Sequence, residues 1–208
     1  MLSDLPGDWT LSSSSAPGAL DVVDGRGQWA GEGPHYSRRS PGSKTFTGVG
    51  QEVVLLTADR SAVWATVRQR TPAARGSGNS RGRSGTTDER AKYVWRNMLF
   101  RNLGSTLSSR LILSATAATY QAWPQRYGAL PVETLRTEVD PKMTRSKNPG
   151  FCYKMAGYHS ARAVRGKVYL DAPCSCLLLT GECSCCPGSL LQGQAPCWDG
   201  LSKVVSPL

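Results

Sequence analysis

Two apolar, β-branched runs near the middle of the chain predict a pair of strands. They are EVVLLTAD (52–59) and AVWATVRQR (62–70), and only Arg60 and Ser61 separate them. Such a short separation is typical of an antiparallel hairpin. A third strand is predicted at YVWRNMLFRN (93–102), whose apolar positions lie mostly two residues apart.

The second half of the chain alternates between helical and strand patterns. A helix is predicted at about 106–123, where Leu107, Leu111, Ala115 and Ala118 form one stripe, and Pro124 is expected to end it. The remaining predicted elements are a strand at 132–140, a short helix at 148–158 and a last strand at 163–173 with a turn at Arg165-Gly166. The order β-β-β-α-β-α-β indicates an α/β fold, with a mixed central sheet and flanking helices.

Both ends of the chain lack such patterns. Residues 1–30 are rich in Ser, Gly and Asp without periodicity, so we expect a disordered leader there. The ordered domain is predicted at 31–173. Residues 174–208 are expected to form a Cys-rich, disordered tail.

Basic residues are concentrated in the predicted domain. The formal net charge is +10, and residues 35–170 hold 23 of the 25 Lys and Arg but only seven of the 15 Asp and Glu. A field of this sign attracts polyanions through phosphate neutralisation and counterion release. A merely solubilising surface is the simpler alternative, but we favour DNA or another polyphosphate as partner.

Six of the seven cysteines lie in the last 35 residues, in the pattern CSC-x6-CSCC followed by Cys197. Thiolates at this spacing could hold zinc, but paired C-x2-C knuckles are absent. We therefore expect incidental thiols and no metal site, and we assign the separate Cys152 to the core. The first residues resemble no secretory signal and no run is long enough to span a membrane, so we expect a cytoplasmic protein.

The turn between the third strand and the long helix, LFRNLGSTLSSRLI (99–112), allows two interpretations. Gly104 could simply relieve crowding where strand meets helix. Alternatively, backbone amides after Arg101 and the helix N-terminus could face a phosphate.

Element order and this turn together resemble the GNAT acyltransferase superfamily, whose corresponding turn is Arg/Gln-x-x-Gly-x-Gly/Ala. Thr106 stands at the last small position here. The resemblance implies that acetyl-CoA, or another acyl-CoA, places its pyrophosphate on this turn. The implied cofactor-binding residues are Arg101, Leu103, Gly104, Ser105, Thr106 and Leu107.

A second match lies in CYKMAGY, on the predicted short helix. GNAT proteins commonly carry Tyr-x-x-x-Gly-Phe there, and Tyr153, Gly157 and Tyr158 supply the pattern. The resemblance implies that Tyr153 protonates the leaving thiolate. The alternative is a structural role, in which Tyr153 is an amphipathic core residue. HYSRRSPG (35–42) further resembles a phage group related to Mom-type enzymes, which modify adenine in DNA.

Two further side chains are candidates for catalysis. His35, beside Tyr36, could act as a general base or be a loop histidine bonded to backbone. Asp140 ends a strand and could orient the acceptor amine, or could equally cap the Pro141 turn.

The resemblance, together with the basic charge, implies an acyl-CoA-dependent N-acyltransferase acting on a nucleobase amine, adenine, in DNA. The expected DNA-binding residues are Tyr36, Arg38 and Arg39, with Arg75, Arg81 and Arg83 from the Gly/Ser-rich segment 71–90. The alternatives are a catalytically silent DNA-binding protein of the same fold and an acetyltransferase acting on a protein or small amine.

Overall fold

In the computed structural model, the described residues are 5–35, 43–71, 93–144 and 147–180. Four α-helices and seven strands lie in these ranges. The strands are β1 (Trp9–Ser12), β2 (Gln51–Thr57), β3 (Ala62–Arg70), β4 (Tyr93–Asn102), β5 (Leu135–Val139), β6 (His159–Val164) and β7 (Lys167–Asp171). The helices are α1 (Pro17–Asp24), α2 (Ser108–Tyr127), α3 (Phe151–Met155) and α4 (Ser175–Thr180), and a 3₁₀ turn spans Gly27–Trp29.

All seven strands form one mixed sheet in the order β1-β2-β3-β4-β5-β7-β6. Only β4 and β5 run parallel, while every other neighbouring pair is antiparallel. The α/β class predicted from the sequence is therefore confirmed, as is the antiparallel β2–β3 hairpin.

Helices cover both faces of the sheet because its central strands bury alternate side chains on each side. Val53 and Leu55 pack with α2, whereas Val54 and Leu56 pack with α1. None of the helices in the described ranges combines the length and apolar character that a bilayer crossing requires.

The expectation of a disordered leader is wrong for residues 5–30. Strand β1 pairs with β2, and α1 buries Ala19, Val22 and Val23 completely against the sheet. The indole N–H of Trp9 donates to Ser114 Oγ on α2 at 2.9 Å. Both elements are short, so few apolar residues carry them and Ser/Gly-rich flanks hide the pattern.

The expected end of α2 at Pro124 is also wrong, because the helix continues to Tyr127. A proline removes its own N–H but keeps its carbonyl, which here accepts from Gly128 N–H at 2.8 Å. The Tyr127 hydroxyl further holds the last turn, since it bonds both the N–H and the carbonyl of Glu52.

The last two strands form a hairpin where a single strand with a turn was expected. β6 pairs antiparallel with β7 through Arg165-Gly166, both at positive φ (51° and 78°). Every residue of β6 is exposed, so it lacks the alternation that marks a strand. The predicted tail begins as α4, and Leu178 packs against the core.

Candidate active site

The parallel strands β4 and β5 separate after three paired residues, and this separation creates the candidate site. Pairing runs from Trp95–Leu135 to Asn97–Thr137 and then stops. Beyond it, β4 stays with β3, while β5 stays with β7. A cavity of about 180 Å³ fills the resulting wedge; among its lining residues are His35, Asn97, Phe100, Thr144, Cys152 and Tyr153.

Within the described part of the chain, no strand pairs with residues 98–102 of β4 on the β5 side, and we call these residues the open edge. Arg101 pairs with Val63, and Leu103 N–H donates to Ser61 O at 2.8 Å, so these residues bond towards β3. Because successive residues of a strand alternate direction, the N–H and C=O of Phe100 and Asn102 point to the wedge. The open edge thus directs backbone donors and acceptors into the wedge, where the His35 ring bonds the Phe100 backbone.

Asn97 lies at the apex of the wedge, where the β3–β4 register shifts. Its buried amide Nδ2 donates to Ala65 O (3.0 Å) and Leu99 O (3.1 Å), which stabilises the bulged backbone. Its Oδ1 accepts from the hydroxyls of Thr137 (3.3 Å) and Tyr153 (2.7 Å). Sequence reasoning missed Asn97, although an amide at an inward position of a strand is a signal that could have found it.

Tyr153 enters the cavity from α3. Gly150 precedes that helix at φ 76°, and a Cβ there would lie 2.7 Å from Leu170 Cδ1, so the helix entry requires glycine. The Tyr153 ring packs on Phe100 and Tyr158, and only 8% of the residue is exposed. Its hydroxyl is therefore fixed beside Asn97 at the end of the cavity.

His35 reaches the same cavity from the opposite side of the sheet. The backbone N–H of His35 donates to Val23 O at 2.9 Å, and the imidazole ring forms a hydrogen bond with the Phe100 backbone. Burial, together with the nearby Arg101 guanidinium, lowers the pKa of His35 to about 4. The imidazole is consequently neutral at pH 7, and the structure brings together two of the three predicted catalytic residues, His35 and Tyr153.

Asp140 is not among the residues that line this cavity. Its Oδ1 accepts from Lys142 N–H at 3.0 Å and its carbonyl from Met143 N–H at 3.1 Å. These contacts are those of a carboxylate that caps the Pro141 turn. Of the two roles considered for Asp140, the structure supports the cap.

The Arg101–Leu107 turn meets the description of an anion cradle only in its second half. The Arg101 side chain points to the α1 face and bonds three backbone carbonyls. Leu103 N–H is used by Ser61 O, and Gly104 N–H by Asn102 Oδ1 at 3.0 Å. Arg101, Leu103 and Gly104 therefore do not present their donors to solvent, contrary to expectation.

Gly104 is needed here for close approach. A Cβ at this position would lie 2.6 Å from Ser61 Oγ, which supports the crowding interpretation of the glycine. Ser105, Thr106 and Leu107 are exposed, and within the described part of the chain their N–H groups have no hydrogen-bond partner. Helix α2 follows with no acidic residue in its first turn and no side-chain cap.

Other predicted residues lie outside the described ranges: Tyr36, Arg38, Arg39, Arg75, Arg81 and Arg83. Among the residues that are described, no group of three His, Cys, Asp or Glu side chains could hold a metal. Cys152 packs against the core, as expected, and also lines the cavity, and burial raises the pKa of its thiol. Comparison of the chain with family models, with curated proteins and with solved structures finds no match.

Proposed function

We propose that this chain is a GNAT-like, acyl-CoA-dependent N-acyltransferase whose reaction centre is the wedge between β4 and β5. The observation that carries the proposal is that His35 and Tyr153, from opposite faces of the sheet, line one cavity beside the open edge of β4. One residue there is a neutral imidazole that can accept a proton, and the other is an oriented hydroxyl that can donate one.

The open edge and the free amides fit an acyl-CoA. The arm of coenzyme A carries two amides, which are groups that can hydrogen-bond to the backbone of a strand edge. The N–H groups of Ser105, Thr106 and Leu107 lie directly before α2, where amides and helix dipole favour a phosphate. Arg101 takes no part in this fit, because its guanidinium is bonded elsewhere.

An acyl-CoA held by the open edge and by the amides of Ser105, Thr106 and Leu107 would supply a thioester, from which the acyl group would pass to the amine nitrogen as the carbon–sulfur bond breaks. His35 accepts the proton that the amine loses, and its neutral form at pH 7 keeps it ready for that step. Tyr153 gives its hydroxyl proton to the departing sulfur. That hydroxyl donates to Asn97 Oδ1 in the structure, so it must turn from Asn97 during transfer.

An adenine amine in DNA is the acceptor that we favour. The basic composition of residues 35–170 and the likeness of HYSRRSPG to the Mom-related group support this choice. Such a base would have to leave the stack, at a cost of a few kcal/mol. Mass spectrometry of digested DNA, after incubation with the protein and acetyl-CoA, should reveal an acetylated adenine; unmodified DNA together with an acetylated amine or protein acceptor would refute the choice of DNA.

A catalytically silent DNA-binding protein of the same fold is the second candidate. This candidate is favoured because the Arg101 guanidinium and the amides of Leu103 and Gly104 bond to other protein groups and are not directed at a phosphate. Calorimetric titration with acetyl-CoA separates the two candidates, because only the enzyme must bind it. If a large excess of acetyl-CoA gives neither binding heat nor a shift in melting temperature, the result supports the silent DNA-binding protein.

A further inference from the structure

Arg101 is a buried cation whose side-chain hydrogen bonds, within the described residues, lead to the N-terminal segment. Only 8% of the residue is exposed. Its Nη1 donates to Val23 O at 2.9 Å, and its Nη2 donates to Glu32 O (3.2 Å) and Gly33 O (2.7 Å). The guanidinium thus joins both ends of the stretch that leaves α1 and reaches the wedge.

The two ends of that stretch, residues 23–35, lie next to each other. Gly25 has φ 65°, and a Cβ there would lie 2.2 Å from Gly33 O, so its two ends are in contact. Val23 O accepts from Arg101 and also from His35 N–H. The position of His35 therefore depends on the same carbonyl that Arg101 holds.

We propose that Arg101 is a positioning residue for the transfer reaction. By binding the carbonyls of Val23, Glu32 and Gly33, it fixes His35 against the open edge of β4. This role rests on the proposed function, and it differs from the phosphate contact that the turn sequence implies for Arg101.

Several charged or titratable groups line the same cavity as His35 or lie beside it. Arg101 approaches from β4, Glu138 from β5, where it pairs with Lys167 of β7, and Cys152 and Tyr153 from α3. Glu32 and Asp24 lie near Arg101 on the N-terminal segment, and their negative charges partly offset the positive charge of its guanidinium. Removal of the Arg101 charge, or release of the segment into solvent, would raise the pKa of His35 in either case.

Proton NMR of the imidazoles follows the pKa of His35 directly, because the chain has only two histidines. Arg101→Gln removes both the charge and the hydrogen bonds, whereas Arg101→Lys keeps the charge, so a rise of the His35 pKa in Arg101→Lys reports the loss of positioning. His159→Gln assigns the signals. We expect the His35 pKa to rise by at least one unit in Arg101→Gln and by less in Arg101→Lys. The exposed Arg126→Gln serves as the matched control and should leave it unchanged. An identical His35 titration in the parent and in Arg101→Lys would overturn the proposal.

Kinetics and binding add a readout that loss of folding alone would not give. In Arg101→Lys, acetyl-CoA affinity should stay within twofold, while the acidic limb of the kcat profile moves to higher pH. A tenfold loss of acetyl-CoA affinity would instead make Arg101 a cofactor ligand and refute its positioning role. If the parent protein binds no acetyl-CoA, the proposed enzyme fails, whereas the titration still decides whether Arg101 sets the state of His35.

Discussion

The two halves of β4 have opposite surroundings although they belong to one strand. The first half, around Trp95, pairs with β5, and its indole packs on Trp123 (4.8 Å between ring centroids) and Tyr120 (5.6 Å). The second half has lost β5 and faces a cavity with His35 and Tyr153. The sheet is thus tightly packed where aromatic residues meet, and its strand pairing stops where the cavity begins.

Asn97 marks the boundary between these halves. Its four hydrogen bonds replace the pairing that the bulge disrupts and also fix Tyr153. Substitutions in the first half should therefore change stability, whereas substitutions in the second half should change the reaction. The following predictions test this division.

Tyr153→Phe should show the largest effect on turnover. It removes the proposed general acid, which is worth about 10²–10⁴-fold in rate, while acetyl-CoA affinity is retained. The control is Tyr158→Phe, which removes a buried hydroxyl bonded to Thr116 at 2.8 Å. Each variant should lose about 1 kcal/mol of unfolding free energy, but only Tyr153→Phe should lose turnover. Equal turnover in the parent and Tyr153→Phe would show that Tyr153 has only a structural role in the core.

Trp95→Ala should show the largest effect on stability. Loss of a buried aromatic side chain costs about 3–5 kcal/mol, measured by urea unfolding. Tyr93→Ala, on the same strand but 41% exposed, should cost about 1 kcal/mol or less. Similar losses for the two variants would contradict the view that the first half of β4 carries the packing.

Thr106→Asp should weaken acetyl-CoA binding by about tenfold, or about 1.4 kcal/mol. The new carboxylate would repel a phosphate at the free amides, yet it would interact favourably with the α2 dipole, so the protein alone should not lose stability. The same change at Val132, which is 94% exposed, is the control. If calorimetry gives equal acetyl-CoA affinities for both variants, the phosphate does not bind at this turn.

Asp140→Asn should have the smallest effect. Asparagine can also accept from Lys142 N–H, so we expect unfolding free energy within about 0.5 kcal/mol and turnover within twofold of the parent. A large loss of turnover with unchanged stability would place Asp140 in the reaction after all.

The regular elements with long patterns were predictable from the sequence. Strands β2, β3 and β4 and most of α2 follow from apolar spacing alone, because many residues repeat the same period. The presence of Tyr153 on a short helix and of His35 before the first central strand was also evident. Short elements were not: β1, α1 and β6 contain too few periodic residues for local pattern to identify them.

Only the tertiary structure decided which donors remain available for a ligand. The sequence places Arg101 next to the turn, but strand alternation directs its side chain to the α1 face, where the carbonyls of Val23, Glu32 and Gly33 accept its hydrogen bonds. The sequence likewise names Gly104 without showing that Ser61, 43 positions earlier, occupies the space beside it. Local pattern determines which residues form strand and helix, whereas the wedge arises from pairing between distant segments, and no local signal records where that pairing stops.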